Sequence, residues 1–354
     1  MDPEATASVG RVPHGSSDDF DLLDFSANVN PRVPDGAREA YLEALDRARR
    51  YPPDDYPDYR EAAAAHVGCE PAGVIPTPGG LAAIRLACEV VVEKGDSVLV
   101  PFPSFGEYAR EVRLQGGTPE FVAHDALLDA DPGDHALAIP CTPNNPTGDA
   151  YDTKELRAFA NRCEGTDTAL LVDEAFLGFT DRASLAADDH PENVVVARSL
   201  TKLFGLPGLR AGFAVARGDL RERLSNARQA WALGTPAALV GTHCLRDRAF
   251  VRETRRRVRT ERARLRERLS AHADIWPSDA PFLLCDLGTE CGNDGSEGSQ
   301  RTAESVVAAA REEGIALRDA TTFRRLDSHI RVAVRTPAEN DRLVAVLDGI
   351  LADE

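Results

Sequence analysis

Lys94, Lys154 and Lys202 are the three lysines of the 354-residue chain, so chemistry that needs an imine has three side-chain amines to choose from. Lys202 has the most informative surroundings. It closes Ser199-Leu200-Thr201-Lys202, and Arg210 lies eight residues beyond it. Upstream, in order, come Thr77-Pro78-Gly79-Gly80, Pro143-Asn144-Asn145-Pro146-Thr147-Gly148 and Asp173-Glu174-Ala175-Phe176. This set suits an aromatic, phosphorylated aldehyde. Gly79, Gly80 and Leu81 offer backbone N–H groups at a helix start, where a phosphate is held well. Ser199 and Arg210 add a hydroxyl and a fixed positive charge. Lys202 can form the imine, Asp173 can keep a pyridine nitrogen protonated, Asn145 can donate to a ring oxygen, and Phe105 can stack on the ring. Each signal alone is weak: a strand-end aspartate is usually a cap, an N-P-T-G run usually only a turn, and Phe105 alone usually core. Their succession is far more specific.

These residues need strands that end together. Short apolar runs at Ser97–Val100, Ala136–Ile139, Ala169–Val172, Val194–Ala197 and Gly212–Ala216 alternate with helical patterns such as Leu81–Val92 and Thr153–Arg162. Buried strands with helical crossovers predict a mainly parallel sheet covered on both faces, with the ligand at the carboxyl ends of its strands. Near residue 245 the pattern changes. Arg246–Leu269 reads as one helix with 11 arginines, followed by a strand at Phe282–Leu287, a polar loop at Glu290–Gln300, a helix at Thr302–Glu313, a strand at His329–Val334 and a helix at Ala338–Leu351. The expected organisation is an N-terminal segment over 1–30 near the active site, a large α/β domain over 31–245 and a smaller α+β domain over 246–354.

Acidic residues number 58 against 41 basic ones, a net charge of −17, which argues against a nucleic-acid or anionic-membrane binder. With 41 − 3 = 38 arginines to three lysines, the composition resembles that of halophile proteins. In the arginine-rich helix, Asp247, Glu253, Glu261 and Glu267 are placed to pair at i,i+3 and i,i+4, so a solvated or interdomain helix is expected there. The seven cysteines fall singly, without metal-ligand spacing, and read as reduced thiols of a cytoplasmic protein; no metal is expected. The acidic start MDPEATASVGR does not read as a signal peptide, and no apolar run reaches spanning length.

From Asp24 to about residue 350 the chain resembles fold-type I pyridoxal 5′-phosphate enzymes of the aminotransferase class I/II superfamily. Within them it resembles the branch of histidinol-phosphate aminotransferase and threonine-phosphate decarboxylase. Leu23 to Pro31, Arg198 to Lys202, Leu206 to Arg210, Ile330 to Arg335 and His14-Gly15 look closest to the decarboxylase. The resemblance implies that Lys202 carries the imine and moves protons once displaced, and that Asp173 pairs the ring nitrogen. It implies further that Asn145 bonds the phenolate oxygen, that Phe105 stacks, and that Gly80, Leu81, Ser199 and Arg210 hold the cofactor phosphate. Arg331 is then the substrate-carboxylate partner, helped by Asn30. Tyr51 reaches a neighbouring subunit's cofactor in a homodimer with shared sites, with Tyr56 as fallback.

Phe176 stands where aminotransferases of this branch commonly carry tyrosine, whose hydroxyl would also bond the phenolate oxygen. The leading expectation is decarboxylation of O-phospho-L-threonine to an aminopropanol phosphate, a cobalamin precursor. The alternative is amine exchange with 2-oxoglutarate by an aminotransferase such as histidinol-phosphate aminotransferase. Either substrate is a small phosphorylated amine or amino acid, for whose phosphate Arg335, His14, Arg324 and Arg32 are candidates.

Overall fold

The computed structural model describes residues 1–187, 190–288 and 302–351. The polar loop expected at Glu290–Gln300 lies outside the described residues. The strands, in chain order, are β1 (Leu23–Asp24), β2 (Val74–Thr77), β3 (Ser97–Phe102), β4 (Thr118–Ala123), β5 (Leu137–Ala138), β6 (Ala169–Asp173) and β7 (Val194–Ser199), then β8 (Gly212–Val215), β9 (Asp274–Ile275), β10 (Phe282–Asp286), β11 (Ile315–Ala316), β12 (Arg318–Asp319) and β13 (His329–Ala333). Seven of them form one sheet in the order β2-β8-β7-β6-β5-β3-β4, in which only β8 runs antiparallel to its neighbours.

The strands are continuous apolar runs because both faces of the sheet are covered. Alternation then sends successive residues to opposite cores. Val194 and Val196 of β7 join the cluster that includes Leu170, Val172 and Phe213, whereas Val195 and Ala197 join the one containing Ile84, Tyr108, Val112 and Leu171. The helices Gly80–Val91 and Glu107–Leu114 supply much of that second cluster. Their first residues therefore emerge beside the carboxyl ends of β2 and β3, where the sequence motifs lie.

Antiparallel β12-β13-β10-β9 makes a second, smaller sheet, with Arg318 the cross-strand partner of Arg331. The N-terminal segment is built into this part. β1 pairs in parallel with β11, the Ala333 N–H donates to the Phe25 carbonyl at 2.9 Å, and residues 12–15 run on toward the first sheet.

The arginine-rich helix differs from expectation in two ways. Asp247 breaks it: its carboxylate accepts from the Phe250 N–H at 2.9 Å, capping Arg248–Leu269, and Arg246 ends the preceding helix Thr235–Arg246. The arginines also bond mostly to other elements. Arg255 donates to the Gly178 carbonyl and Arg262 to the carbonyls of Asp279 and Ala280; Arg259 pairs with Asp181 and Arg268 with Asp348. Arg264–Glu261 is an intrahelical pair of the expected kind, but Glu253 reaches out to Arg32. The helix staples the two sheets together. Among the described residues, no helix is long and apolar enough to cross a membrane, and no group of His, Cys, Asp and Glu could hold a metal ion.

Candidate active site

A cavity of about 500 Å³ opens at the carboxyl ends of the large sheet. Gly80 and Leu81 follow β2, Phe105 follows β3, Asn145 follows β5, Asp173 ends β6, and Ser199 and Lys202 sit at the end of β7; all line the cavity. Arg210 enters from the turn before β8, Phe176 from the turn after β6, and His14 from the N-terminal segment. Arg331 and Arg318 close the cavity from the small sheet. Among the described residues, arginines 113, 210, 318, 324 and 331 line it together with Lys202 and His14, against the single carboxylate of Asp173. Such a cavity is built for anions.

One end is shaped by glycine. Gly79 has φ +96°, and a Cβ there would lie 2.8 Å from Nη2 of Arg210, so the guanidinium packs directly on the backbone that starts the helix Gly80–Val91. The Gly79 N–H, expected to face a phosphate, is instead taken by the Thr77 carbonyl at 2.7 Å, which leaves the N–H groups of Gly80 and Leu81, the Ser199 hydroxyl and Arg210 as donors of the kind a phosphate needs. Ser199 Oγ also lies 2.9 Å from Thr201 Oγ1.

Polar atoms left without protein partners point to a further anion. Nε of Arg331 and Nε of Arg318, both donors, are buried without a hydrogen bond, as is Oδ1 of Asn28, an acceptor that suits a donor group on a ligand; all three residues line the cavity. Arg331 is fixed otherwise: Nη1 donates to Oδ1 of Asn145 and Nη2 to the Ser26 carbonyl at 2.8 Å. The first bond orients the Asn145 amide and leaves its Nδ2 free to donate. Burial, reinforced by neighbouring Arg318, pulls the Arg331 guanidinium down to about 9. A bound anion would relieve that cost. Burial, with Arg331 and Arg210 nearby, lowers the Lys202 amine to about 8. Burial raises the Asp173 carboxyl, opposed by hydrogen bonds from Tyr108 and the Ala175 N–H.

Over residues 21–347 the chain matches the model of the family aminotransferase class I and II. It belongs to that family. The family is pyridoxal-phosphate dependent, and the chain is an enzyme of its aminotransferase and decarboxylase group. The chain is 30% identical to histidinol-phosphate aminotransferase 2 of Archaeoglobus fulgidus over 94% of each chain. It is 31% identical to threonine-phosphate decarboxylase of Salmonella typhimurium, over 93% of this chain and 91% of that one. Further relatives at 28–31% identity are also named histidinol-phosphate aminotransferase. The crystal structure of the Sinorhizobium meliloti histidinol-phosphate aminotransferase in complex with pyridoxal-5′-phosphate superposes with a TM-score of 0.81. Its identity is 22%, and the match covers 92% of this chain and 89% of that one.

The glycine cradle, the cavity-facing lysine and the buried carboxylate fit pyridoxal phosphate. Three residues expected at this subunit's cavity, Asn30, Arg335 and Arg32, lie elsewhere. Asn30 is buried outside the cavity; its Nδ2 donates to the Leu203 carbonyl and Thr254 Oγ1, and its Oδ1 accepts from the Arg32 N–H and from Arg257. Its amide is therefore spent on joining chain segments. Arg335, four residues past Arg331, lies beyond the end of β13, so strand alternation does not carry it to the cavity. It donates to the Asp24 carbonyl and to Glu339. Tyr51 is 80% exposed and packs on Trp231 with ring centroids 4.6 Å apart, away from this subunit's cavity. Tyr56 is buried, its hydroxyl tied to the backbone of Leu233. Arg32 pairs with Glu253 outside the cavity, whereas Arg324 lines it, stacked 3.9 Å from the centre of the Phe121 ring.

Sequence reasoning passed over Asn28, Tyr108, Arg113 and Arg318. Asn28 stood in the quoted N-terminal stretch, but the role there went to Asn30. Arg318 is revealed only by its register with Arg331, and Tyr108 only by its contact with Asp173, 65 positions away in the chain.

Proposed function

We propose that the enzyme is an aminotransferase of the histidinol-phosphate type, exchanging the amine of a small phosphorylated substrate with 2-oxoglutarate. The carrying observation is the cross-strand pair Arg318–Arg331, whose buried Nε atoms lack partners inside an otherwise cationic cavity. Two alternating substrates that each bring an anionic group besides the reacting end, a phosphate or a carboxylate, suit it. The relatives' names weigh toward amine exchange and away from the decarboxylation that the sequence motifs favoured.

Pyridoxal phosphate, when bound, supplies an imine-forming aldehyde and an electron-withdrawing ring. In this reading Gly80, Leu81, Ser199 and Arg210 would hold its phosphate, Asp173 would face its ring nitrogen, Asn145 Nδ2 would donate to its ring oxygen and Phe105 would cover one face. Lys202 moves a proton at the substrate's α-carbon. An amine lowered to about 8 is partly neutral at physiological pH, which suits that task. Arg331 clamps a carboxylate or phosphate, and Arg318 and His14 receive the distal anion. His14 is positioned by Glu107, 3.0 Å away.

Decarboxylation of O-phospho-L-threonine is the second reading. Phe176 favours it: the ring lines the cavity, packs edge-on against Phe282 at 5.1 Å, and brings no hydroxyl to the phenolate side. The two readings part in one assay. Protein supplied with pyridoxal phosphate is given histidinol phosphate plus 2-oxoglutarate, or O-phospho-L-threonine alone. Glutamate from the first mixture and no CO₂ from the second is the expected result. Stoichiometric CO₂ without a keto acid would replace amine exchange by decarboxylation.

Homodimerisation and a cytoplasmic setting belong to the same proposal. Tyr41, Leu42 and Leu45 of the helix Ala37–Arg47 are exposed, as are Tyr51 and Trp231, leaving apolar side chains for a second copy to cover. The six described cysteines are free thiols.

A further inference from the structure

Asp173 is held by more than backbone. Oη of Tyr108 donates to its Oδ2 at 2.6 Å, while the Ala175 N–H donates to its Oδ1 at 2.9 Å. Tyr108 is fully buried in the first turn of the helix Glu107–Leu114, and its ring meets Phe105 edge-on, 5.6 Å between centroids at 84°. One turn of chain thus carries both the ring proposed to cover the cofactor and a hydroxyl aimed at the carboxylate proposed to face its nitrogen. Burial and the adjacent carboxylate hold the phenol far above its ordinary range, so it stays a donor. The nearby Cys141 thiol is directed to the Pro143 carbonyl at 3.3 Å.

We infer that Tyr108 is a positioning residue which, through Asp173, keeps the shared proton on the ring nitrogen of the bound cofactor instead of on the carboxylate. A hydrogen bond donated to a carboxylate favours its ionised form and lowers its basicity. Where a ring nitrogen and a carboxylate compete for one proton, the less basic carboxylate leaves the proton on the ring. A protonated ring is the stronger electron sink. The inference rests on the pyridoxal-phosphate reading of this site, with Asp173 facing the ring nitrogen.

The test reads the proton directly. Holoenzyme is prepared with cofactor labelled with nitrogen-15 in the ring, and the ring-nitrogen chemical shift is compared among wild type, Tyr108→Phe and Asp173→Asn. Wild type is expected in the protonated range. Tyr108→Phe keeps the packing against Phe105 and is expected to move toward neutral pyridine, with turnover falling about tenfold, the scale of one hydrogen bond to a charged group. 4-Aminophenylalanine at position 108, a weaker donor in the same place, is expected to give an intermediate shift, and it carries the test if the phenylalanine variant does not fold. An unchanged shift at position 108 alongside a moved shift in Asp173→Asn overturns the role of Tyr108. A shift unmoved by Asp173→Asn overturns the assignment of Asp173 itself.

Discussion

Lys202 illustrates how burial turns a common side chain into a reactive one. Its neighbours are cationic, so the charged amine is disfavoured, and its ordinary value falls from 10.5 to about 8. The neutral, imine-forming amine therefore grows as pH rises through about 8. Stopped-flow capture of pyridoxal phosphate by cofactor-free protein should accelerate across that range and level off above it, whereas an ordinary lysine would still be accelerating at pH 10. Lys202→Ala should abolish covalent retention of the cofactor after borohydride reduction, read by mass spectrometry. Lys94→Ala and Lys154→Ala should not; retention in Lys202→Ala with loss in either of these would overturn the site. At Arg331 the geometry of the fork matters as much as the charge, since one nitrogen orients Asn145 and another holds the Ser26 carbonyl. Arg331→Lys is expected to raise the substrate KM roughly 10- to 100-fold, about 1.4–3 kcal/mol, while circular dichroism stays unchanged.

At the scale of elements, the site depends on segments distant in sequence being held at fixed angles. Asn30 is a joint of this kind, linking the N-terminal segment, the turn after Lys202 and the arginine-rich helix. Asn30→Ala leaves several buried groups unpaired and should destabilise the fold by about 1–3 kcal/mol in urea titration. The substrate KM should change little, because the amide is outside the cavity; a large KM change with unaltered stability would restore Asn30 as a substrate contact. The arginine-rich helix works by the same principle. Its guanidiniums reach carbonyls and carboxylates in the turn after β6 and the turn between β9 and β10, which explains why so basic a stretch is compatible with a chain of net charge −17.

For the whole molecule, the exposed apolar side chains of the helix Ala37–Arg47, with Tyr51 and Trp231 nearby, set an expectation for assembly. Sedimentation should give twice the 38.2 kDa chain mass, and Leu42→Asp combined with Leu45→Asp should shift the protein toward monomer and lower activity. A fully active wild-type monomer would remove both the dimer and the role of Tyr51 across it. Net charge is the other property at this scale. Self-repulsion at −17 weakens as salt shortens the screening length, so thermal stability should increase between 0.1 and 2 M potassium chloride.

Much of this enzyme was legible in its sequence because its chemistry is local. Asp173 and Ser199 end strands, Gly79-Gly80, Asn145 and Lys202 follow strand ends closely in the chain, and apolar runs locate strand ends without knowledge of which strands pair. Alternation with helices sufficed to order those ends along one edge of a mainly parallel sheet. What the sequence by itself could not determine is everything set by long-range contact. The pairing of Arg318 with Arg331 is a matter of register between strands, and the bond from Tyr108 to Asp173 joins residues 65 apart. Asn28 and Asn30 are chemically identical and two positions apart, yet one lines the cavity and the other is a buried joint. Only the packing of the N-terminal segment between the two sheets separates them, because burial and available partners, not residue type, decide what a polar side chain does.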